Sequence, residues 1–470
     1  MLDAAERGVL RRLSVFAGSF PLDMAQQVAA DPDSGVDEWA VLDVLGSLVD
    51  RSLVVALWGE PPRYRLLEST RALALEQLDS AGETALVNDR HLDAVLARFS
   101  RGYEDRYSGH RPFDLVGAGL QPDIDNARSA MRWALATRPQ AAVALMEPFY
   151  TARPVSQIAD SLDLWESTES LLNSSDDARL RARWMTGSAW FWESAHPAKA
   201  LASAQLAIPF FRQHGADWEL FFALRAAAAA RLRQDASIEP QELREMEALA
   251  TESSPAILRH WAAWSRANFL HAGGDPAGAL KNYRRAKSLG LAAGYAVATW
   301  RSAVAIADLA LLAGDVDDAV RQGEELVAEL KPFRRGGLYP YALLNLAGAS
   351  LAQGSHDKAR HALVELLPLA FGQFDHRDLV SVHLSVYAAA GGQSVAAGHF
   401  LGYVNARSVA TGSQLLGTEA AAHAKAQQLA QTQLGPAAFS EALSAGELMS
   451  DAEIEGLARQ VLGAAGEHPA

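Results

Sequence analysis

The feature that most constrains the fold is a turn that recurs about every 40 residues through the C-terminal two thirds of the chain. Successive turns begin 39, 40, 40, 40 and 38 positions apart, at Ala195, Gln234, Gly274, Gly314, Gly354 and Gly392. A fixed period of this length is typical of stacked helix pairs, because one pair cannot bury its own apolar face and must pack on its neighbours. The period therefore predicts an α-solenoid, which usually holds a partner or ligand, rather than a compact enzyme with one deep active site.

The residues at the turns explain how each helix pair is closed. Gly274 and Gly314 can adopt the left-handed backbone conformation that ends a helix. Asp275, Asp315 and Ser355 are expected to cap the next helix with a side-chain oxygen. A small residue on the far side of each turn lets the two helices approach closely. These small residues are Ala200, Ala279, Ala319, Ala359 and Ala397.

Composition agrees with a helical protein of the cytoplasm. The 470 residues are 49% apolar and contain no cysteine, which excludes a disulfide framework and Cys-based zinc sites. The apolar stretches are too short to span a membrane, and the N-terminus lacks the apolar core of a secretory signal. The net charge is −14 and no basic run exceeds two residues, so direct binding of the repeats to nucleic acid is not expected.

Residues 1–82 have a different pattern, which reads helix, helix, helix, strand, turn, strand. The helical segments are 4–16, 22–30 and 36–50, and the strand-like segments are 53–58 and 63–67. This order predicts a winged helix with a β-hairpin. Its third helix carries Asp37, Glu38, Asp43 and Asp50, and carboxylates at these positions would be repelled by DNA phosphates. We therefore expect this helix to pack against protein rather than to read DNA.

Several of these segments resemble one family of regulators. The winged-helix segment of bacterial STAND-class regulatory ATPases, the AfsR- and LuxR-type transcriptional regulators, is similar to residues 10–30, 41–55 and 63–78. The family's connecting helices are similar to residues 82–99 and 120–136, and its C-terminal end to residues 400–462. The resemblance implies a winged helix followed by tetratricopeptide-like repeats. In the family, these parts couple a nucleotide switch to an inducer or protein that the repeats sense.

The motifs of nucleotide binding and catalysis do not occur in these 470 residues. No GxxxxGK[ST] sequence is found, so no nucleotide site is carried over, and no cofactor is expected. The resemblance instead implies an ATPase module in cis or in trans as a partner. Neither HExxH nor GxSxG is present, and there is no thiol nucleophile. We expect no metal site, no catalytic residue and no enzymatic activity.

The repeat also predicts a binding surface. When the first helices of the pairs are aligned on their turns, the positions six, nine and thirteen residues before each turn share one helical face. This face mixes aromatic, small and single polar side chains, and in tetratricopeptide-like stacks the first helices line the concave groove. We therefore predict that a groove for a partner or ligand is lined by Arg225, Trp261, Asn268, Arg301, Asp308, Tyr341, Asn345 and His383. The alternative is that several of these side chains bond to neighbouring backbone or face solvent.

The sequence thus predicts a mostly α-helical regulatory protein with four regions. These are a winged-helix domain at 1–82, connecting helices at 83–175, tetratricopeptide-like repeats at 176–417 and a C-terminal helical cap at 418–470. The expected function is to bind a protein partner or a small inducer and to pass the signal through the winged helix. Two alternatives stay open: a freestanding protein–protein scaffold or adaptor, and a DNA-binding regulator that uses the winged helix.

Overall fold

The computed structural model describes residues 2–59, 61–152, 162–172, 176–193, 196–214, 217–235, 237–333, 337–372, 376–411, 415 and 417–463. The chain divides into two compact units. The first unit comprises Met1–Ser265 with Ala292–Tyr295, and the second comprises Arg266–Leu291 with Ala296–Ala470. Within the described ranges, no helix is both long and apolar enough to cross a lipid bilayer.

The N-terminal part of the first unit has the predicted order of elements. These are α1 (Ala4–Leu13), β1 (Phe20–Pro21), α2 (Leu22–Ala29), α3 (Glu38–Asp50), β2 (Val54–Leu57), β3 (Arg63–Leu66) and α4 (Glu68–Ser80). The strands form one antiparallel sheet in the order β1-β3-β2, in which Phe20 lies opposite Tyr64 and Val54 lies opposite Leu66. The sequence pattern does not predict β1, because two residues are too few to show an alternation.

Five connecting helices follow in the first unit. They are α5 (Thr84–Ser108), α6 (Phe113–Leu120), α7 (Ile124–Thr137), α8 (Pro139–Ala152) and α9 (Leu162–Leu171). Helix α5 packs on α2, on α7 and on α8, so it contacts both the winged helix and the other connecting helices. Phe99 on α5 and Phe149 on α8 are fully buried and lie with their ring centroids 6.5 Å apart. The connecting helices therefore share one apolar core with the winged helix.

Six helix pairs and three further helices make up the rest of the described chain. The pairs are α10 (Ala178–Trp192) with α11 (Pro197–His214), α12 (Asp217–Gln234) with α13 (Gln241–Leu249), α14 (Ala256–Ala272) with α15 (Pro276–Ala292), α16 (Ala296–Leu312) with α17 (Val316–Leu330), α18 (Leu338–Gln353) with α19 (His356–Phe371), and α20 (Arg377–Ala390) with α21 (Ser394–Thr411). The further helices are α22 (Gly417–Leu434), α23 (Pro436–Glu447) and α24 (Asp451–Val461). The predicted fold class is confirmed, whereas the division of the chain into four regions stays a prediction.

The turns between paired helices have the predicted left-handed glycines and buried alanines. The backbone φ angles of Gly274, Gly314, Gly354 and Gly392 are 80°, 83°, 81° and 78°, in the left-handed region where a Cβ would be strained. The five alanines predicted to allow close approach are at most 2% exposed. At the first turn, Ala195 lies outside the described residues, and the structure describes the chain again from His196.

The predicted capping role is wrong at two of the three positions. The Asp275 carboxylate accepts a hydrogen bond from the Gly278 backbone N–H at 2.9 Å, as expected. Asp315 and Ser355 precede α17 and α19 but make no side-chain cap bond. Their ψ angles are 67° and 72°. A capping residue normally has an extended backbone that aims its side chain at the first free N–H groups, and these two do not have it.

The backbones of helices α21 and α23 of the second unit are in direct contact where the two helices cross. A Cβ added to Gly402 would overlap the backbone carbonyl oxygen of Leu443, and one added to Gly446 would overlap that of His399. The two helices therefore pack backbone to backbone. This close approach positions α22–α24 against the last repeat, since α24 also packs on α19 and α21.

Gly402→Ala should destabilise the second unit, because the added methyl group has no space and the two helices must separate. We expect a loss of about 1–3 kcal/mol of unfolding free energy, the usual range for overpacking a close contact. Gly456→Ala is the matched control, since Gly456 is an exposed residue of α24 with no atom near an added Cβ. That substitution should be neutral or stabilising by up to about 1 kcal/mol. Thermal melts followed by circular dichroism decide, and equal melting temperatures for the two variants would contradict the packing account.

Candidate functional site

A buried carboxylate ties the wing of the first unit to its connecting helices. Asp123, which precedes α7, is fully buried and accepts hydrogen bonds from Arg63 on β3 and Arg98 on α5. The Arg98 Nε to Asp123 Oδ2 distance is 2.6 Å. Arg63 also donates to the Ser19 hydroxyl at 2.9 Å and to the Ser19 carbonyl oxygen at 2.8 Å. We call Arg63, Asp123 and Arg98 the wing anchor.

The side chain of Asn126 strengthens the same junction. Its Oδ1 accepts from the Ala17 backbone N–H at 2.9 Å, and its Nδ2 donates to the Ser19 carbonyl oxygen at 2.8 Å. Asn126 is fully buried, so these bonds satisfy groups that water cannot reach. The segment between α1 and β1 is therefore held by α7 rather than by the winged helix alone.

A second group of polar side chains lies between the connecting helices and the first two repeats. The Tyr103 hydroxyl on α5 donates to Glu147 Oε1 on α8 at 2.7 Å. Arg183 on α10 lies with its Nε 3.4 Å from Glu147 Oε2 and 3.6 Å from Glu219 Oε1 on α12. Arg179 on α10 pairs with Glu219 at 2.9 Å. The Arg179 side chain is exposed, and we call the other four residues, Tyr103, Glu147, Arg183 and Glu219, the buried network.

Burial raises the proton affinity of the Glu147 carboxyl group. Glu147 is 4% exposed, and this desolvation raises its pKa to about 7 although Arg183 and the Tyr103 hydroxyl act in the opposite direction. Burial also raises the pKa of Tyr103 well above its usual value. The Tyr103 phenol therefore stays protonated and remains a hydrogen-bond donor to Glu147. Sequence reasoning missed this group, because its members are separated by up to 116 positions and follow no period.

Two predicted groove residues meet in the first unit, but they do not line an open groove. The Arg225 guanidinium lies between two indole rings, 4.2 Å from the centroid of Trp190 and 4.7 Å from that of Trp261. Its Nη2 donates to Glu193 at 2.6 Å. Arg225 is 6% exposed and Trp261 is 4% exposed. Their contacts are those of a cation between aromatic faces, which packs neighbouring first helices together.

Two predicted residues of the second unit bond to their neighbours, and a third is buried against a neighbouring helix. Asn268 accepts a hydrogen bond from the Tyr283 hydroxyl at 2.7 Å, and Asn345 donates to the Val304 carbonyl oxygen at 2.9 Å. His383 is buried, its ring lies where a Cβ on Gly348 would be, and burial lowers its pKa to about 4. Asn268 therefore joins the two helices of one pair, whereas Asn345 and His383 pack adjacent first helices together.

The other predicted residues of the second unit keep exposed surface or meet the C-terminal helices. Arg301 on α16 is partly exposed, and Tyr341 on α18 is 38% exposed, with its ring centroid 4.7 Å from that of His376. Asp308 on α16 accepts a hydrogen bond from the Thr418 hydroxyl of α22. The sequence predicts a cap at 418–470 but not this contact, because 110 residues separate the two partners and no motif links them.

No ligand set for a metal ion is found in the described part of the chain. Groups of three or more His, Cys, Asp or Glu side chains with suitable placement do not occur among those residues. Most of the buried polar groups described above bond to protein partners, but Glu219 Oε1, Arg225 Nε and His383 Nδ1 have no hydrogen-bond partner among the described residues.

Comparison with known proteins assigns the N-terminal region. Residues 2–79 match the model of the family described as "Winged helix-turn-helix domain". A protein of Mycobacterium tuberculosis (strain ATCC 25618 / H37Rv) named "Putative HTH-type transcriptional regulator" is 28% identical over 390 residues, which are 78% of this chain and 43% of the relative. An "Uncharacterized protein" of the same strain is 42% identical over 105 residues, which are 22% of this chain and 24% of that protein.

One solved structure is similar to this chain. It is a Signal Transduction ATPase with Numerous Domains protein with a tetratricopeptide repeat sensor from Pyrococcus horikoshii, with 13% identity and a TM-score of 0.49. The match covers 95% of this chain and 66% of that one. The chain spans less than half the length of the curated relatives it matches. The family match confirms the predicted winged helix, and the curated relatives confirm the predicted resemblance to HTH-type transcriptional regulators.

Asp123→Asn should weaken the junction between wing and connecting helices. The substitution keeps the shape but removes the buried negative charge that Arg63 and Arg98 share, which costs about 3 kcal/mol of unfolding free energy. Asp125→Asn is the control, because Asp125 is 65% exposed and pairs with Arg128 at the surface. That change should stay within about 0.5 kcal/mol. Chemical denaturation measures both, and a control as unstable as the Asp123 variant would contradict the role given to the wing anchor.

Glu147 should make the stability of the first unit depend on pH. Its pKa is about 7 in the folded chain and 4.5 as a model value, so the folded state binds the proton more tightly between these values. The free energy of unfolding should therefore fall as the pH rises from about 4.5 to 7 and then stay constant. Glu147→Gln should remove about 2–3 kcal/mol of this change, whereas Glu104→Gln on the exposed side of α5 should not. Denaturation at several pH values tests this, and the same slope in wild type and Glu147→Gln would contradict it.

Proposed function

We propose that this chain is the sensing and coupling part of a transcriptional regulator. In this proposal the repeats bind a protein partner or a small inducer, and the winged helix passes the signal to an ATPase module in cis or in trans. The match of residues 2–79 to a winged helix-turn-helix domain and the names of the curated relatives support a regulator. We also propose that the partner is a protein or a small inducer and that the chain has no catalytic activity.

The observation that carries the proposal is the continuity of buried polar contacts in the first unit. The wing anchor joins β3 to α5 and to the start of α7, and the buried network joins α5 to α8, α10 and α12. Buried ion pairs tolerate little displacement, because separating the partners leaves a charge without solvent or counter-charge. A shift of the first repeats is therefore expected to change the position or stability of the wing. This is what a module that couples sensing to a switch requires.

Partner contact is assigned to the predicted groove residues that keep exposed surface. Arg301 and Tyr341 lie on the first helices α16 and α18 of the second unit and are both partly exposed. The mixed aromatic and cationic character suits a ligand with an aromatic ring or a carboxylate. Arg225, Trp261, Asn268, Asn345 and His383 are assigned to packing between the helices.

The winged helix keeps DNA binding as a second candidate, because the matched domain is of the helix-turn-helix type. Against it stand the exposed carboxylates of Asp37, Glu38, Asp43 and Asp50 on and before α3. Arg51, which follows α3, lies 3.3 Å from the Glu6 carboxylate and is partly neutralised by it. A surface of this charge repels phosphates, so we favour protein contact for α3.

A ligand screen tests the proposed function directly. Compounds that raise the melting temperature of the wild-type chain should be retested on the double variant Arg301→Ala/Tyr341→Ala and on Arg244→Ala. Arg244 is an exposed arginine of the second helix α13 and serves as a matched control. We expect the double variant to lose at least about tenfold in affinity, or about 1.4 kcal/mol, and the control to bind as wild type. Equal binding by all three proteins would contradict the assigned surface.

A DNA titration tests the second candidate function, which is DNA binding by the winged helix. The fluorescence anisotropy of a labelled duplex of about 30 bp should show no binding that weakens steeply between about 50 and 200 mM salt. Tight binding with a steep salt dependence, abolished by Arg65→Ala in the exposed part of the wing, would favour the DNA reader instead.

A further inference from the structure

The N-terminal end of α22 lies on the first helices of earlier repeats within the second unit. Thr418 donates a hydrogen bond from its hydroxyl to the Asp308 carboxylate of α16. Gly417 is next to α14, since a Cβ added to it would lie 3.8 Å from His271 Nε2. The rest of α22 packs on α20 and α21. The residues Gly417–Glu419 thus reach from the last repeat back to two earlier ones, and we call them the α22 latch.

The latch brings two carboxyl groups together around one hydroxyl. Thr418 Oγ1 donates to Asp308 and lies 3.3 Å from Glu419 Oε2. A threonine hydroxyl has a single hydrogen to donate, but its oxygen can also accept. If that hydrogen goes to Asp308, Glu419 can complete a full hydrogen bond to the same oxygen by carrying a proton of its own. When both carboxyl groups are ionised, they compete for the single Thr418 hydrogen, so the chain Glu419–Thr418–Asp308 is complete in the protonated form only.

The surroundings favour the protonated form. Burial and the negative charge of Asp308 raise the pKa of Glu419 to about 7. Burial also raises the pKa of Asp308, against the opposing effects of the Thr418 hydrogen bond and of His271. The two carboxyl groups titrate as a pair, because each feels the charge of the other.

The other helices around the latch bring few groups that could neutralise it. Helix α14 contributes His271, and α15 contributes the Tyr283 phenol, whose hydroxyl is bonded to Asn268. Helix α20 contributes His383, which is buried against Gly348 of α18. The titratable groups of α21 and α22 point elsewhere: Arg407 lies 5.8 Å from the Tyr403 ring, and His423 bonds to Asn405. Among the described residues, His271 is the cationic group that acts on Asp308.

We propose that the α22 latch is a proton-dependent cover for the inner face of the repeats, closed when Glu419 is protonated and released when Glu419 and Asp308 are both ionised. The covered surface includes Asp308, a residue predicted from the sequence to line the groove. Closing the latch therefore competes with any partner that binds there. This second part rests on the proposed function, whereas the proton-dependent opening stands without it.

The sign of the pH dependence follows from the proton balance. The closed latch binds a proton on Glu419 up to about pH 7, and the released side chain returns toward its model value of 4.5. The closed state therefore binds more protons between these values, and its stability falls as the pH rises through that range. Below it the latch is fully stabilised, and above it the stability stays constant. Because both carboxyl groups are only half-buried, we expect the closed-to-open ratio to fall by at least about tenfold rather than by the full shift.

Distance measurement between two spin labels tests the latch without any ligand. The chain has no cysteine, so Lys281→Cys on α15 and Lys425→Cys on α22, both at exposed positions, give a specific label pair within the second unit. The label distance distribution should be narrow at about pH 5 and should shift or broaden at about pH 8. An unchanged distribution over this range would overturn the proposal.

Three variants in the labelled background identify the group responsible. Glu419→Gln cannot ionise and should keep the narrow distribution at both pH values. Thr418→Val removes the bridging hydroxyl and should give the open distribution at both. Glu441→Gln, an exposed carboxyl group of α23, should behave as wild type. If Glu419→Gln opens with pH as wild type does, the latch proposal fails. If the latch opens as expected but no screened ligand favours the open form, only the competition with a partner fails.

Discussion

The organisation of the first unit depends on a buried charge that has two counter-charges. Asp123 has no exposed surface, and it is stable there because Arg63 and Arg98 approach it from the wing and from α5. Two arginines and one carboxylate on three different elements can be satisfied in one arrangement only, which fixes the wing against the connecting helices. Asn126 extends the same contact to the segment before β1. The winged helix is thereby part of a larger body instead of an independent domain on a linker.

The buried network repeats this principle nearer to the repeats. Glu147 is buried, and this burial raises its pKa to about 7 although Arg183 lies beside it. Arg183 on α10 connects it to Glu219 in the first turn of α12, where a helix N-terminus also favours a negative charge. The first two repeats are thus joined to α8 through buried charges, and separating them would cost several kcal/mol of free energy, about 3–5 kcal/mol for a typical buried pair. In the second unit, Thr418 and Asp308 make the corresponding long-range contact, but there two carboxyl groups meet without an arginine.

Local and periodic features of this structure are predictable from the sequence. The turn glycines, the buried alanines and the order of the winged-helix elements follow from residue type and spacing, because each depends on neighbours within a few positions. The failures have a common cause. Asp315 and Ser355 have the right residue type for a cap but the wrong backbone angles, which their neighbours determine. Arg225 occupies a predicted groove position, yet Trp190, Trp261 and Glu193 enclose it. Contacts such as Asp123 with Arg63, or Asp308 with Thr418, join residues that are 60 and 110 positions apart, and one sequence contains no signal for them.

Wing, connecting helices and first repeats are expected to open as one cooperative body. Native-state hydrogen exchange of Arg183→Met is the sharpest test, because this change removes the cation from the buried network and leaves the wing anchor untouched. We expect the opening free energies to fall by similar amounts for amides of β3 and of α10, since both would open together. Faster exchange confined to α8, α10 and α12, with β3 unchanged, would show that the winged helix opens on its own and would contradict the account.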